Sequence, residues 1–520
     1  MSWTKRKLGF SCHQEINDQE LLVELKRRMQ EVLSVAIHNA PVANNSTFKE
    51  RINSLLNSYM EEKMENKNKY RLSRWCKWFK KGNIIAFLHN ISLALIFLPE
   101  SIGQKIISSD INYKKVDDYI LEELRKERLI VDFDYDEMQE LFQVRNKFLQ
   151  NKSLEIAYLL LTDACNLKCK YCFEETPLLI SKPVSAVNMN SITVKCAMNV
   201  FANLTKKYGR DGYKRIIHLY GGEPLINFKA AKEAIIEVEK LKRNQIMPEE
   251  CEIAIVTNGV FLNEDVISFF AKHKVTVGIS IDGPAHINNI YRVSKQENDV
   301  FPIILRNYKL LQKYSVKNGI SATLTPDVIN NFDEVLSFFI DKLKIQDGIS
   351  FNILHYNQGI LLDDTYFDKA AECLIYAFEK FRKLGIYEER MMRKARAFIN
   401  RETMFSDCGA MGNQIVIAPD GLIGMCQDFV KPRMYFDYSV FDSNFDPYRS
   451  GLFRKWSRRS PLFMDQCLDC EALGICGGGC PANVELKTGN IWNIDNRICP
   501  HSKKSLEWLI WDTFSKSGFS

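Results

Sequence analysis

Three cysteines, Cys165, Cys169 and Cys172, lie within one stretch of eight residues, and this spacing constrains the chain more than any other feature. A strand-like run precedes them, so they occupy a loop that can direct three thiolates at one point. A tetrahedral zinc site needs a fourth ligand nearby, usually from two pairs of cysteines. Three thiolates alone suit a 4Fe–4S cluster that leaves one iron open to a small chelating molecule. Three buried or zinc-bound cysteines are the alternative interpretation.

Length and composition narrow the class of protein. A chain of 520 residues predicts two or three domains, and 46% hydrophobic and 26% charged residues are typical of globular proteins. The net charge of +6 does not indicate nucleic-acid binding. The longest apolar run, Ile84 to Leu98, is too short to span a membrane, and no signal segment is recognised. The 15 cysteines therefore favour metal or cluster ligation over disulfides, and we expect a reducing, cytoplasmic compartment.

The first 150 residues are predicted to form two regions. Residues 1–82 are expected to be a helical extension, with one helix beginning near Asp18 and another near Thr47. Its basic, aromatic end, Lys67 to Lys81, is either a solvated helix face or a contact surface for an acidic peptide. Residues 83–150 predict a winged-helix-like module. Its expected elements are strands Ile84–Leu88, Ile91–Leu98 and Leu129–Asp132 and helices Val116–Glu127 and Asp134–Leu149.

Residues 151–358 alternate between strand and helix patterns, which predicts an α/β fold with a parallel sheet. The predicted strands are Ile156–Thr162, Arg215–Tyr220, Glu252–Thr257, Val275–Ile281, Gly319–Leu324 and Ile349–Leu354. The predicted helices between them are Ile192–Lys206, Lys229–Arg243, Glu264–Lys272, Val300–Tyr314 and Phe332–Lys342. A closed eight-unit barrel would need two more units, so we expect a partial (β/α)6 barrel. The chemistry of such barrels lies at the carboxyl ends of the strands, where the cysteine loop is found.

Four polar motifs follow the ends of successive predicted strands after the cysteine loop. Gly221-Gly222-Glu223 ends the second strand, and its glycines allow a ligand to approach the backbone closely. Asn258 follows the third strand, Ser280 and Asp282 follow the fourth, and Arg292 comes next. Each motif alone is weak, but their order favours a common binding site.

The C-terminal part is predicted to begin with a helical connector, residues 359–407. Residues 408–520 hold seven further cysteines and little regular structure before a final helix, Lys504–Phe514. Seven cysteines do not divide into four-cysteine zinc sites, and the only neighbouring histidine is His501. The cysteines are Cys408, Cys426, Cys467, Cys470, Cys476, Cys480 and Cys499.

The cysteine loop and the strand-end motifs resemble those of radical SAM enzymes. The resemblance implies that the loop cysteines hold a 4Fe–4S cluster, whose open iron is chelated by the amino and carboxylate groups of S-adenosylmethionine. Reductive cleavage would then yield a 5′-deoxyadenosyl radical. In that family the glycine pair meets the methionyl amino group, the residue at Ser280 meets the ribose, and Arg292 meets the carboxylate. The cofactor-binding residues predicted on this basis are Tyr171, Gly221, Gly222, Glu223, Asn258, Ser280, Asp282 and Arg292.

The seven C-terminal cysteines resemble those of SPASM domains, which hold auxiliary 4Fe–4S clusters beside a radical SAM barrel. The resemblance assigns Cys408, Cys426 and Cys480 to auxiliary cluster I. It assigns the other four to auxiliary cluster II: Cys467, Cys470, Cys476 and Cys499. Cluster I is one ligand short, and its open iron would bind a substrate thiolate, water or a residue such as Asp407.

The subfamily resemblance is to maturases of ribosomal peptides, including thioether-forming sactipeptide and ranthipeptide enzymes. Sulfatase maturases carry an acidic base directly after the cysteine that matches Cys426, whereas this chain has Gln427 and then Asp428. Asp428 is the candidate catalytic proton acceptor.

The expected partners are a precursor peptide, whose leader adds a strand to a sheet edge in residues 83–150, and an electron donor such as flavodoxin or ferredoxin. The alternatives are a sulfatase-maturase-like or other SPASM oxidase and a non-enzymatic zinc or iron–sulfur scaffold.

Overall fold

The α/β class and the order of the barrel elements are confirmed in the computed structural model. It describes residues 70–108, 116–150, 153–172, 186–210, 212–296, 298–355 and 359–517. The helices predicted near Asp18 and Thr47 lie outside these ranges. The described residues from Arg71 onward form one compact unit. No helix in the described ranges is long and apolar enough to cross a lipid bilayer.

Six parallel strands form the centre of a ten-stranded sheet and are consistent with a partial (β/α)6 barrel. They are β6 (Ile156–Leu160), β7 (Arg215–Tyr220), β8 (Cys251–Thr257), β9 (Thr276–Ser280), β10 (Asn318–Leu324) and β11 (Gly348–Ile353). Successive side chains of β7 point to opposite faces of the sheet: Ile217 and Leu219 are fully buried, whereas His218 and Tyr220 are half-buried.

Helices connect these strands, as parallel pairing requires. Asparagine side chains cap two of them: Asn190 accepts from Ile192 and Thr193, and Asn263 accepts from Val266. The last predicted barrel helix is α-helical over its first half and continues as one π-helical turn, Phe338–Lys342. The helices are α4 (Ser191–Tyr208), α5 (Phe228–Arg243), α6 (Glu264–Lys272), α7 (Ala285–Tyr291), α8 (Phe301–Lys313), α9 (Pro326–Asn330) and α10 (Phe332–Ser337). The labels α1 to α3 belong to the N-terminal region below.

Four short strands extend the sheet beyond the six predicted ones. β12 (Tyr387–Glu388) pairs in parallel with β11, and β13 (Gln414–Ile417) pairs in parallel with β6. β14 (Leu422–Gly424) and β15 (Tyr438–Ser439) then add antiparallel. The expectation of little regular structure between residue 408 and the final helix is therefore wrong. The strands β13 to β15 of the cysteine-rich region belong to the same sheet as the barrel strands.

The C-terminal helices place the later cysteines. The final helix begins six residues before the predicted start, so Cys499 lies in its first turn. The helices are α11 (Tyr366–Lys383), α12 (Glu389–Ile399), α13 (Gly451–Ser457), α14 (Asp465–Leu468), α15 (Leu473–Cys476), α16 (Pro481–Thr488) and α17 (Ile498–Lys516).

The N-terminal region differs from its prediction. The basic, aromatic segment that was expected to be helical is a strand, β2 (Cys76–Lys81), which forms a three-stranded sheet with β3 (Ile84–His89) and β4 (Leu95–Pro99). The predicted boundary at residue 82 therefore cuts through this sheet. The strand expected near Leu129 is present, but it does not belong to this three-stranded sheet. The remaining elements are β1 (Tyr70–Leu72), β5 (Ile130–Asp132), which pairs with β1, and helices α1 (Glu100–Ile107), α2 (Asp118–Lys126) and α3 (Glu137–Gln150).

This region packs against the cysteine-rich region. Buried Trp75 shares a core cluster with Leu141, Leu462 and Leu473. The Asn90 side chain donates to the carbonyl of Cys470 at 2.9 Å. Residues 83–150 therefore do not bury their apolar surface by themselves.

Candidate cofactor and cluster sites

The loop Cys165–Cys172 leaves the carboxyl end of β6 and is held by the segment that follows α7. The backbone N–H of Lys168 donates to the carbonyl of Val293 at 2.8 Å, and that of Lys170 donates to Tyr291 at 2.9 Å. The three thiols are thereby fixed at the edge of the barrel where the other motifs also lie.

Asn258, at the end of β8, braces the same loop. Its amide nitrogen donates to the side-chain oxygen of Asn166 at 2.8 Å and lies 3.9 Å from Cys165 Sγ. The residue predicted to bind the cofactor therefore also positions a cysteine.

The glycine pair after β7 packs directly on the residues that precede the loop. A Cβ at Gly221, whose φ is +132°, would lie 2.4 Å from the carbonyl oxygen of Thr162. A Cβ at Gly222 would lie 2.4 Å from the carbonyl oxygen of Ala164. Only glycine fits at these two positions without moving the backbone next to Cys165.

Glu223 joins the ends of β7 and β8. Its buried carboxylate accepts hydrogen bonds from the Leu225 N–H at 3.0 Å, the Thr257 hydroxyl at 2.7 Å and the Asn258 N–H at 2.8 Å. Burial raises the pKa of Glu223 to about 7, while the three donors act in the opposite direction. The carboxylate is thus a structural link between two strand-end motifs.

Asp282 is the centre of a second buried network. Its carboxylate receives the Arg292 Nε at 2.9 Å and Nη2 at 3.3 Å, the Tyr171 hydroxyl and the Thr323 N–H at 2.8 Å. Arg292 is thus already ion-paired with Asp282, and its predicted contact with the cofactor carboxylate stays a prediction. Ser280 is half-buried at the end of β9 beside Ser321.

Three C-terminal cysteines lie together near the barrel. Burial raises the pKa of Cys426 well above its ordinary value, and negative charge on Asp428, Cys480 and Cys408 raises it further. Cys408 and Cys480 each begin a short helix, and their sulfurs accept the N–H of Ala410 at 3.5 Å and of Asn483 at 3.4 Å. One buried and two half-buried thiols whose charges act on one another fit the donor set of a thiolate-bound cluster.

The other four cysteines form a separate group. Burial raises the pKa of Cys499 to about 12, and Cys476, Cys470 and Cys467 raise it further. These mutual effects on pKa run within the three-membered and four-membered sets that the sequence assigned to auxiliary clusters I and II. Their roles as ligands stay predictions.

Asp428 is buried beside the first set. Its carboxylate Oδ2 lies 3.4 Å from the Nδ1 of His355, and burial raises its pKa to about 6 against the opposing charge of Arg497. Asp428 is therefore not a surface residue. Asp407 faces elsewhere: its Oδ1 lies 3.1 Å from Arg393 Nη2.

Sequence reasoning missed His355. One ligand atom each from His355, Asp428 and Cys480 lie within 4.8 Å of one another. Burial lowers the pKa of His355 well below its usual range, and Arg497 and Arg390 lower it further. His355 directly follows the sixth predicted strand, so the strand-end rule that found the other motifs would also have found it.

The fold and site define an α/β-barrel enzyme with a three-cysteine loop at the carboxyl end of its first barrel strand. Residues 159–339 match the family model of the Radical SAM superfamily, and the chain contains a radical SAM domain. This family implies a 4Fe–4S cluster and S-adenosylmethionine, and the thiols and strand-end groups described above fit both.

Two relatives and one solved structure extend the likeness beyond that domain. The radical SAM cyclopropyl synthase TigE of Paramaledivibacter caminithermalis is 23% identical over 70% of this chain and 76% of its own. The cysteine-type anaerobic sulfatase-maturating enzyme of Clostridium novyi is 24% identical over 68% of this chain and 95% of its own. The structure of native anSMEcpe with bound AdoMet and Cp18Cys peptide superposes with a TM-score of 0.56 at 17% identity, over 69% of this chain and 98% of that one. The superposition shows a shared fold.

Proposed function

We propose that this protein is a radical SAM peptide maturase that forms a thioether or related cross-link in a ribosomal precursor peptide. The observation that carries the proposal is the position of the second cysteine set. Cys480 lies beside His355, which follows the carboxyl end of β11, and the Cys165–Cys172 loop follows the carboxyl end of β6 in the same parallel sheet. Two cysteine sets thus face one end of the barrel, where a substrate can reach both.

The residues present fit the implied groups. Cys165, Cys169 and Cys172 would hold the radical SAM cluster, with the cofactor on the strand-end motifs. Cys408, Cys426 and Cys480 would hold auxiliary cluster I, and Cys467, Cys470, Cys476 and Cys499 would hold auxiliary cluster II. When bound, these groups supply hydrogen-atom abstraction and an acceptor for one electron.

The protein's own residues would place the substrate and move a proton. Closing a bond between carbon and sulfur removes one hydrogen atom from the carbon and one proton from the thiol. Asp428 is the proposed acceptor of that proton, because its carboxylate is buried between Cys426 and His355. The solved structure of the same fold supports a substrate of this kind, because it holds a peptide.

The proposal is tested by incubating the enzyme, S-adenosylmethionine and a reductant with the peptide encoded by a neighbouring short gene. We expect the peptide to lose the mass of two hydrogen atoms and one reactive thiol. A Cys→Ser peptide, as the matched control, should keep its mass. Conversion of a folded sulfatase but not of the peptide would instead favour the sulfatase-maturase-like alternative, which the relative from Clostridium novyi supports.

The leader of the precursor would bind at β2. Among the described residues this strand pairs only with β3, so its other edge offers backbone groups for an added strand. Trp78 on this strand is 47% exposed, and Lys80 and Lys81 are also exposed. An edge that combines an exposed indole with positive charge suits an acidic leader with an apolar anchor.

Replacing Trp78 with alanine should weaken leader binding about tenfold, because an exposed tryptophan is a common anchor of peptide interfaces. Fluorescence anisotropy of a labelled leader measures this affinity. Tyr119→Ala is the matched control, since Tyr119 is an exposed aromatic residue on α2. Equal affinities for both variants and the parent would exclude β2 as the leader site.

A further inference from the structure

A histidine, a carboxylate and a cysteine meet where the barrel contacts the cysteine-rich region. The ligand atoms of His355, Asp428 and Cys480 lie within 4.8 Å of one another, and Asp428 is buried. Cys480 belongs to the three-membered set with Cys408 and Cys426. The set that is one ligand short therefore has a nitrogen donor directly beside it.

Two buried charged residues contact the backbone on which His355 and Cys480 lie. Arg497 and Asp495 form a buried ion pair, with Nε to Oδ1 at 2.9 Å and Nη2 to Oδ2 at 2.8 Å. Asp495 accepts the backbone N–H of Cys480 at 2.9 Å. Arg497 donates to the carbonyls of Ile353 and Leu354, at 3.4 and 3.3 Å.

This ion pair links the two donors. One partner fixes the backbone of Cys480, and the other fixes the two residues that precede His355. Cys480 and His355 are therefore oriented before any metal binds, which is typical of preorganised metal sites.

The other protein candidate for the missing ligand is engaged elsewhere. The Asp407 carboxylate is ion-paired with Arg393 at 3.1 Å, and its backbone N–H donates to Gly477 at 2.9 Å. Ligation by Asp407 would break its ion pair with Arg393.

We infer that His355 is the fourth protein ligand of the cluster held by Cys408, Cys426 and Cys480. The inference rests on the proposed function only in assuming that this cluster exists. Asp428 then acts as a positioning residue: its Oδ2 lies 3.4 Å from Nδ1 of His355, and a carboxylate beside a ligating imidazole orients the ring. A histidine ligand replaces the substrate thiolate as the occupant of this iron, and it raises the reduction potential relative to four thiolates.

The test uses full-length enzyme with Cys165, Cys169 and Cys172 replaced by alanine, reconstituted with iron and sulfide and reduced without S-adenosylmethionine. The protein is labelled with ¹⁵N-histidine, and pulsed electron paramagnetic resonance measures coupling between ¹⁵N and the reduced clusters. We expect a strong ¹⁵N coupling that His355→Ala removes. His355→Cys should also remove it while keeping the iron and lowering the reduction potential. His218→Ala, a half-buried histidine of β7, should keep it.

Absence of the coupling in the parent, or its persistence in His355→Ala, would overturn the inference. Iron content separates this failure from failure of the proposed function. A parent that holds about eight irons without ¹⁵N coupling retains both auxiliary clusters and lacks only the histidine ligand. A parent that holds about four irons lacks one auxiliary cluster, which contradicts the proposed function as well.

Discussion

Replacement of Cys165, Cys169 and Cys172 by alanine is expected to abolish 5′-deoxyadenosine formation and to remove about four iron atoms per chain. The three thiolates are the only protein ligands that the loop offers to its cluster, and without them the electron has no route to the bound sulfonium. Chromatographic quantification of 5′-deoxyadenosine after reduction with dithionite measures the loss.

Cys196→Ala is the matched control, because Cys196 lies on α4 and belongs to none of the three cysteine sets. It should retain both iron and activity. Reductive cleavage at the parental rate in the triple variant would contradict the assignment of the loop.

Gly222→Ala should lower 5′-deoxyadenosine formation about 100-fold, which is the effect of displacing reacting groups by about 1 Å. The added Cβ would lie 2.4 Å from the carbonyl oxygen of Ala164, and backbone on both sides of this contact has to move. Because Ala164 directly precedes Cys165, the displacement reaches the cluster loop. Single-turnover kinetics and iron content measure the two consequences separately.

Gly451→Ala controls for the general effect of a glycine replacement. Gly451 begins α13, and a Cβ there meets no atom within 4 Å. It should leave iron content and rate unchanged. If Gly222→Ala had the same iron content and rate as this control, the close packing of the glycine pair would not be needed for the site.

The barrel was predictable because each of its elements carries a local signal. Runs such as Arg215–Tyr220 alternate in burial as their sequence suggests, and asparagines such as Asn190 and Asn263 mark helix starts. The assignment of the C-terminal cysteines to two sets rests on the spacing of the family pattern rather than on secondary structure, and it stays a prediction.

The elements that were missed depend on distant partners. β13 is four residues long, and its strand conformation comes from pairing with β6, more than 250 positions earlier. β2 has the charge pattern of a solvated helix, but pairing with β3 sets its structure. The link between Cys480 and His355 passes through Arg497 and Asp495, and no local pattern in the sequence connects these four residues.

Transfer of hydrogen from the peptide to 5′-deoxyadenosine tests the proposed activity most directly. The precursor peptide is prepared fully deuterated at carbon and incubated with enzyme, S-adenosylmethionine and reductant in ordinary water. Mass spectrometry then compares the deuterium gained by 5′-deoxyadenosine with that lost by the peptide. A peptide maturase transfers one deuterium for each cross-link formed, and this is the result that we expect. 5′-Deoxyadenosine free of deuterium, formed beside an unmodified peptide, would contradict it.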